Sequence, residues 1–309
     1  MAGVGAHHPR PIALGQVHSV ALRVPFAHEG NCKVRGVARL IDVRHLGRER
    51  VIGSYELDGL LIDPGPASSV AALEGLELRG LLLTHIHLDH AGATGVLVRE
   101  HPDLTVYVHE SGAPHLIDPS KLLRSAARLY GDDMDRLWGE VAPVPERNIR
   151  PLAGGEQIEG FRVAYTPGHA SHHVCYLHEE TGDAYVGDMG GVRIPPSDRT
   201  LAPTPPPDID VEAWLASLET ISGWEPQRLC LTHFGRADDP PAQLDRVREA
   251  LRRQLEMVER SDQREFTEWL TADLPEETAE CYIQAAVPDQ LYMGLERYLS
   301  KRAEAATSA

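Results

Sequence analysis

The chain has 309 residues, of which 42% are hydrophobic and 25% are charged. These are ordinary values for a folded protein, and they exclude a fibrous or intrinsically disordered chain. The formal net charge of -16 argues against nucleic acid as a partner, because phosphate backbones are bound by clustered Lys and Arg. The N-terminus lacks a signal-peptide core, and no stretch approaches the ~20 apolar residues that cross a membrane. We therefore expect a soluble, cytoplasmic protein with no membrane partner.

The first part of the chain, residues 17–63, shows short alternating or apolar runs. Alternation with period two is typical of β-strands, so we expect antiparallel pairs here. Asp58-Gly59 predicts a two-residue hairpin turn, because both residues tolerate the positive φ of a type I′ turn. The predicted strands are Val17–Val24, Gly36–Val43, Val51–Leu57 and Leu60–Ile62.

After residue 66, helices and strands alternate as in α/β proteins. A short helix is predicted from Ser68 or Ser69 to Leu76, and the apolar strand Gly80–Thr84 leads directly into a histidine-rich run. The stretch Gly112–Glu140 predicts helices with a break at Asp118-Pro119-Ser120, and we expect this excursion to lie over the functional site. Further helices are predicted for Ala91–Glu100 and Asp210–Ile221, and further strands for Leu104–Val108, Phe161–Tyr165, His173–Leu177, Ala184–Val186 and Arg228–Leu231.

From residue 240 onward the sequence pattern is almost entirely helical, including Ala242–Glu259 and Asp289–Leu299. This shift in composition and periodicity predicts a catalytic domain over residues 1–237 and a C-terminal helical region over residues 238–309. Apolar positions on the last helix could form the interface of a homodimer, so we keep a homodimer as a hypothesis. They are Leu291, Leu295 and Leu299.

The run Thr84-His85-Ile86-His87-Leu88-Asp89-His90 carries the strongest chemical signal. His85 and His87 are two residues apart at the end of an extended strand, so they point to one side and can share a metal ion. Asp89 and His90 then face elsewhere and can ligate a second ion. A single histidine in a polar loop would be structural by default, but four donors within six residues after an apolar strand indicate a metal site.

This run resembles the HxHxDH signature of the metallo-β-lactamase superfamily, and further matches follow in the order of that family. The likeness covers Val17–Gly235. It implies an α/β protein with a four-layer αββα sandwich, the metallo-β-lactamase fold, whose cleft lies at one edge between the two sheets and which carries a C-terminal helical extension. The further matches are Leu61-Ile62-Asp63-Pro64-Gly65, Thr166-Pro167-Gly168-His169, Val186-Gly187-Asp188 and Leu231-Thr232-His233.

The resemblance also implies a dinuclear centre of two divalent metal ions with seven protein ligands. Imidazole and carboxylate ligands suit zinc, while iron and manganese stay open. Asp89 is the implied catalytic residue, since it would orient the nucleophile and carry a proton. The implied ligands are His85, His87 and His169 for one ion, Asp89, His90 and His233 for the other, and Asp188 as the bridge.

The implied enzyme is a hydrolase that attacks a small carboxylic ester, thioester or lactone with a hydroxide bridging the two metals. Asp188 argues against the zinc β-lactamases, which use other residues at the bridging position, and the net charge argues against a tRNA-processing branch. Two alternatives stay open. One is a phosphodiesterase on the same metal site, and the other resembles the persulfide dioxygenases, with one iron held by His85, His169 and Asp188.

Two neighbours of the motifs have competing interpretations. His172 and His173 compete with His169, but the turn Pro167-Gly168 favours His169 as the ligand and makes His173 a packed or supporting residue. Asp63 is expected to orient a metal-bound histidine or to accept backbone donors in its turn, rather than to act as a catalytic acid.

Substrate recognition has two hypotheses. A glutathione thioester would need cations for the glutathione carboxylates, whereas a lactone would need an apolar pocket with a phenol near the carbonyl. Each set of candidate residues also has a purely structural explanation. The cations could belong to a solvated helix face, and the apolar residues could pack in the core. The candidates are Arg248, Arg252 and Arg253 for the first hypothesis, and Leu129, Tyr130 and Trp138 for the second.

Overall fold

The computed structural model describes Met1 and residues 36–308, so the strand predicted for Val17–Val24 lies outside the described residues. Within this part of the chain, twelve strands form two six-stranded sheets. The first sheet contains, in spatial order, β1 (Arg39–Asp42), β2 (Gly53–Leu57), β3 (Leu60–Ile62), β4 (Gly80–Leu82), β5 (Thr105–His109) and β6 (Ile149–Leu152). The second contains β12 (Gly235–Ala237), β11 (Arg228–Leu231), β10 (Asp183–Tyr185), β9 (Val174–His178), β8 (Phe161–Tyr165) and β7 (Gln157–Ile158).

Strand pairing in the first sheet follows the change in the sequence pattern. β1, β2 and β3 pair antiparallel, as predicted, and the turn between β2 and β3 has φ values of 48° at Asp58 and 82° at Gly59. β3, β4, β5 and β6 then pair in parallel. Parallel neighbours need crossover connections, which bring the carboxyl ends of β3, β4 and β5 to one edge of the sheet.

The two sheets pack face to face through alternate side chains of their strands. Leu60, Ile62 and Leu82 belong to one apolar cluster with Phe161 and Tyr176 of the second sheet, whereas the alternate residues Leu61 and Leu81 belong to a different, larger cluster. Full burial of such a side chain stabilises the fold by roughly 1.5–3 kcal/mol. The Tyr55 hydroxyl also donates a hydrogen bond to the Leu231 carbonyl at 2.9 Å, which ties β2 to the end of β11. This hydrogen bond joins the two sheets near the cleft edge.

Helices complete the αββα sandwich that the sequence predicts. Two helix predictions need correction. The segment expected to be helical to Leu76 is a 3-10 helix over Ala67–Leu73, followed by Gly75 with φ 76°. The single helix expected over Ala91–Glu100 is two short helices, Leu88–Ala91 and Thr94–Glu100. The helices are α1 (Leu88–Ala91), α2 (Thr94–Glu100), α3 (Ala113–Ile117), α4 (Ser120–Tyr130), α5 (Met134–Trp138), α6 (Val211–Ser222), α7 (Pro240–Val258), α8 (Gln263–Ala272), α9 (Ala279–Ala285) and α10 (Pro288–Ser308).

The C-terminal helices pack against the rest of the described chain. The Thr204 hydroxyl donates to the Leu291 carbonyl at 3.0 Å, and the Tyr282 hydroxyl donates to the Arg199 carbonyl at 2.6 Å. Leu291 and Leu295 are buried in this packing, so they form no exposed apolar face. The homodimer and the domain boundary after residue 237 stay predictions. In residues 36–308, no helix has the length and apolar character needed to span a membrane.

Candidate metal centre

Four chain segments that follow strands deliver the predicted ligands to one place. The motif after β4 changes from extended to helical backbone at His87, whose φ and ψ are -59° and 151°, and Leu88 starts α1. After this change, Asp89 and His90 fall in a different group of donor atoms from His85 and His87, although the rings of His85 and His90 lie only 4.0 Å apart. The other ligands are His169 between β8 and β9, Asp188 in the 3-10 turn Gly187–Gly190 after β10, and His233 after β11.

Four of these residues form what we call the first donor group: His85, His87, His169 and Asp188. One donor atom from each lies within 4.8 Å of the others. His169 Nε2 is 2.9 Å from His87 Nδ1 and 3.2 Å from Asp188 Oδ2. Three imidazoles and a carboxylate at this spacing match the ligand number and type of a zinc site.

The remaining predicted ligands form the second donor group: Asp89, His90 and His233, whose donor atoms also lie within 4.8 Å of one another. Asp188 Oδ1 is 3.2 Å from His90 Nε2 and 3.4 Å from His233 Nε2. The two oxygens of Asp188 therefore face different donor groups, since Oδ2 is the oxygen near the first group. This is the geometry expected of a bridging carboxylate.

The donor atoms fit a bound cation because several have nothing else to bind. Among the seven predicted ligands, four buried atoms have no hydrogen-bond partner in the described part of the chain: His85 Nε2, His90 Nε2, His233 Nε2 and Asp188 Oδ1. A buried polar atom left without a partner costs about 1–3 kcal/mol. Metal coordination would satisfy all four at once, so the residues present fit a divalent metal.

Hydrogen bonds behind the histidines fix which ring nitrogen is free. His169 Nδ1 donates to the Pro203 carbonyl at 2.8 Å, and His233 Nδ1 donates to the Val51 carbonyl at 2.6 Å. Because a carbonyl can only accept, Nδ1 carries the proton in both rings and Nε2 keeps its lone pair for a metal. The sequence did not reveal these two acceptors, since both are backbone atoms.

Asp63 supports the centre in the way the sequence predicts. Its side chain is buried and accepts a hydrogen bond from His90 Nδ1 at 2.8 Å. The same carboxylate accepts from the Thr84 amide at 2.8 Å, the Thr84 hydroxyl at 2.7 Å and the Thr232 hydroxyl at 3.2 Å. Asp63 therefore orients His90 and ties the end of β4 to the end of β11.

The pKa shifts of the histidines differ between the two donor groups. Burial, with a smaller effect of neighbouring imidazoles, lowers the pKa of His85 well below its usual value and that of His87 to about 4. Burial also lowers the pKa of His90 and His233, but the nearby carboxylates, Asp188 foremost, outweigh it and raise both pKa values. His85 and His87 in the first donor group are therefore neutral at pH 7, whereas the carboxylates favour the protonated form of the two histidines in the second group.

His172 and His173 lie beside the centre but outside both donor groups. His173 Nδ1 is 3.0 Å from the Thr166 hydroxyl, and its ring stacks on His85 with centroids 5.0 Å apart. It is thus a packed neighbour, as expected. His172 stacks more distantly on His85, lines the cavity described next, and has an Nδ1 atom without a partner in the described region.

A cavity of about 730 Å³ opens above the donor groups. His87, Asp89 and Asp188 lie at its floor, and Asp89 is the most exposed of the three carboxylates near the histidines, at 24%. The excursion forms one wall, as the sequence predicts. The apolar residues that line the cavity include Leu122, Leu129, Tyr130 and Trp138 from the excursion, Pro203 and Pro205 from the proline-rich segment, and Ala285, Val287 and Leu291 from the C-terminal helices.

His45 is a cavity residue that sequence reasoning missed. Its buried imidazole stacks on Trp138, with centroids 5.5 Å apart and the planes at 8°, and its Nδ1 is 3.4 Å from the Ser69 hydroxyl. Gln284 from α9 donates to the His45 carbonyl at 3.0 Å. No motif surrounds His45, so its position depends on contacts that the sequence pattern does not show.

The arginines proposed for glutathione do not line this cavity. Arg248 pairs with Asp245 and Glu219, both at 2.8 Å, and Arg252 pairs with Glu249 at 2.7 Å on the outside of α7. The solvated helix face therefore accounts for both. Tyr130 does line the cavity, where its hydroxyl donates to Gln290 Oε1 at 3.2 Å.

Comparison with known proteins places this site in a family. The model of the metallo-beta-lactamase superfamily matches residues 52–233, and the chain belongs to that superfamily. It is accordingly a metal-dependent hydrolase, as predicted. The metallo-beta-lactamase fold-containing protein ST1585 of Sulfurisphaera tokodaii is 29% identical over 187 residues, which are 57% of this chain and 68% of that protein. The crystal structure of ST1585 from Sulfolobus tokodaii has a TM-score of 0.66 at 22% identity and covers 85% of this chain and 98% of that chain.

Two further relatives are named for their reactions. Atrochrysone carboxyl ACP thioesterase of Aspergillus fumigatus is 29% identical over 143 residues, covering 42% of this chain and 26% of that protein. Hydroxyacylglutathione hydrolase of Legionella pneumophila is 26% identical over 137 residues, covering 41% of each. The chain thus spans less than half the length of these two relatives.

Proposed function

We propose that the chain hydrolyses a small carboxylic ester, thioester or lactone with an apolar acyl part, at a dinuclear zinc centre. One observation carries the proposal: the two oxygens of Asp188 face two separate donor groups at the floor of a cavity with apolar walls. A single-iron site would use only the first donor group. It would leave the buried Nε2 atoms of His90 and His233 without partners among the described residues.

The residues present suit two zinc ions. Imidazole and carboxylate donors in groups of three or four, with Asp188 between them, match catalytic zinc sites, which keep a position open for water. When bound, the two ions would supply an activated water at neutral pH and polarise the substrate carbonyl. Iron and manganese share these ligand types, so metal analysis belongs to the test.

Asp89 is the proposed proton carrier. Burial raises and the charges of His90 and His233 lower the pKa of Asp89, and the net direction is downward. The carboxylate is therefore ionised at neutral pH and can accept a proton. Because Asp89 is 24% exposed and lines the cavity, it can orient a water molecule and move a proton toward the leaving group.

The cavity walls support an apolar acyl group. A volume of about 730 Å³ lies within the range of small-molecule sites, and the walls from the excursion and the C-terminal helices are largely apolar. The names of two relatives denote a thioesterase and a hydroxyacylglutathione hydrolase. A small molecule fits these features, and nucleic acid does not fit the net charge of -16.

Metal analysis followed by a substrate panel tests the proposal. Protein purified without added metal is analysed for zinc, iron and manganese, then assayed on acyl thioesters, p-nitrophenyl esters, lactones and phosphodiesters. We expect two zinc ions per chain and turnover of at least one carbonyl substrate. Asp188→Ala should lose metal and more than about 100-fold in turnover, beyond what a residue outside the ligand set costs.

A control variant separates the site from the fold. Asp183→Asn changes an equally buried carboxylate that pairs with Arg228 Nε at 2.7 Å, outside both donor groups. It should keep its metal content and turnover. One iron per chain with sulfur-dependent oxygen uptake would overturn the hydrolase, and activity on phosphodiesters alone would overturn the carbonyl substrate.

A further inference from the structure

A second cavity, of about 400 Å³, lies between the segment 198–201, α7 and α8. It shares no lining residue with the cavity above the donor groups. Its charged lining is evenly divided, with three arginines and three acidic residues. They are Arg199, Arg246, Arg253, Asp198, Asp245 and Glu249.

The acidic residues of this cavity are engaged by arginines other than Arg199 and Arg253. Each has a partner within 3.4 Å: Asp198 with Arg246 and Arg193, Asp245 with Arg248, and Glu249 with Arg252. Across the described ranges, no carboxylate lies within ion-pair distance of Arg199 or Arg253. The cavity therefore contains two guanidinium groups without a direct ion pair, although Asp273 acts on Arg199, and Arg253 acts on Glu249, from a greater distance.

Arg199 is held in a position that costs free energy without an anion. The side chain is half-buried, and its Nε atom is buried with no hydrogen-bond partner among the residues that the structure describes. Burial, followed by the charge of Arg253, lowers the pKa of Arg199. Both effects disfavour the charged guanidinium, and an oxyanion beside it would relieve both.

Arg253 is fixed over an apolar surface. Its Cζ atom lies 5.7 Å from the centre of the Trp269 ring, which is the distance of a cation–π contact. Leu201, Ala250 and Leu270 are buried and line the same cavity. The second cavity thus combines two donor-rich cations with an aromatic and aliphatic floor.

We propose that this cavity binds a small amphipathic anion, with a carboxylate or phosphate group between Arg199 and Arg253 and an apolar part against Trp269 and Leu270. Guanidinium groups match the planar edge of a carboxylate or two oxygens of a phosphate with paired hydrogen bonds. The net charge of -16 repels anions from the surface in general, so binding requires this local arrangement. The site does not depend on the proposed function.

Calorimetric titration of the metal-loaded full chain tests the site. The probes are phenyl phosphate and phenylacetate, compared with inorganic phosphate and acetate, which lack the apolar part. We expect the phenyl compounds to bind at least about tenfold more tightly than the small anions, because only they contact the apolar floor. Whichever phenyl compound binds more tightly identifies the oxyanion.

Variants assign the binding to this cavity. Arg199→Gln and Arg253→Gln should each weaken the phenyl probes at least about tenfold, and Arg253→Lys should have an intermediate effect because it keeps the charge but loses the planar fork. The control is Arg264→Gln, an exposed arginine on α8 that pairs with Glu268 at 2.6 Å. It should leave affinity unchanged.

Thermal unfolding separates a ligand site from a structural role. Without added anion, Arg199→Gln should not lower the melting temperature, since it removes a half-buried charge without an ion pair, whereas Arg253→Gln also loses the contact with Trp269 and should lower it slightly. In both variants, the rise in melting temperature that phenyl probes cause in the wild type should disappear. The proposal is overturned if the wild type binds no probe at about 10 mM. It is also overturned if both variants bind the phenyl probes as tightly as the wild type does, which would assign the probes to the metal centre.

Discussion

Replacing Asp63 with Asn would test how the metal centre is held together. Asp63 has a positive φ of 50°, a conformation that Asp and Asn both tolerate, so the substitution leaves the backbone unperturbed. The Oδ1 atom can still accept the Thr84 amide at 2.8 Å. The amide nitrogen that replaces Oδ2, however, faces His90 Nδ1, the Thr84 hydroxyl and the Thr232 hydroxyl.

The expected loss follows from these contacts. The two hydroxyls can rotate and accept from the new amide, but His90 can do so only by moving its proton to Nε2, the atom that faces Asp188. This tautomer cannot ligate a metal. Loss of such a supporting contact costs 10–100-fold in metal affinity, or about 1.4–2.7 kcal/mol, and loss of a charged hydrogen bond costs about 1.5–3 kcal/mol of stability.

Metal affinity by competition with a chromogenic chelator, together with denaturant unfolding, measures both effects. Asp63→Asn should retain the first ion and bind the second 10–100-fold more weakly. The Asp183→Asn variant is the matched control, because it should lose stability through Arg228 but bind both ions normally. If Asp63→Asn binds two ions with unchanged affinity, the tautomer argument is wrong.

Two further predictions concern protons and the cavity wall. Because the carboxylates raise the pKa values of His90 and His233 in the metal-free protein, the second ion should release protons on binding, and its affinity should fall as the pH falls through those raised values. Calorimetry at pH 7 in buffers of different ionisation enthalpy would show this, and equal proton release for both ions would contradict it. Trp138→Ala should raise KM for a long-acyl substrate about tenfold and leave a short-acyl substrate nearly unchanged, because it removes apolar wall, whereas Trp224→Ala, outside the cavity lining, should change neither.

Local sequence patterns predicted much of the sandwich because strands and turns are determined largely by residues that are neighbours in the chain. The Asp58-Gly59 turn depends on two φ values, and both are positive in the structure. β6 was missed because Pro151 interrupts its apolar pattern, and the structure places β6 at the sheet edge, where proline is tolerated. β7 and β12 were missed because two or three residues show no periodicity.

The seven predicted donors come together because each follows a strand, or a turn between strands, with a recognisable motif. The division into two donor groups had a local cause too, since the backbone turns helical at Leu88 within the motif itself. His45 had no such cause. Its place depends on Trp138 and on Gln284, which is 239 residues away in the chain.

The same distinction explains why the substrate is harder to predict than the metal centre. The donor groups are positioned by strand ends alone, and the superfamily shares the fold that places those strand ends. Several reactions use the same donor residues. The cavity above them needs the excursion and the C-terminal helices to meet, as in the hydrogen bond between Tyr130 and Gln290, 160 residues apart. No periodicity encodes such a contact, so residues that contribute to the metal centre cannot reveal which acyl group the walls accept. Substitutions that change specificity without changing metal content should therefore fall in the walls, and Trp138 is the first of them to test.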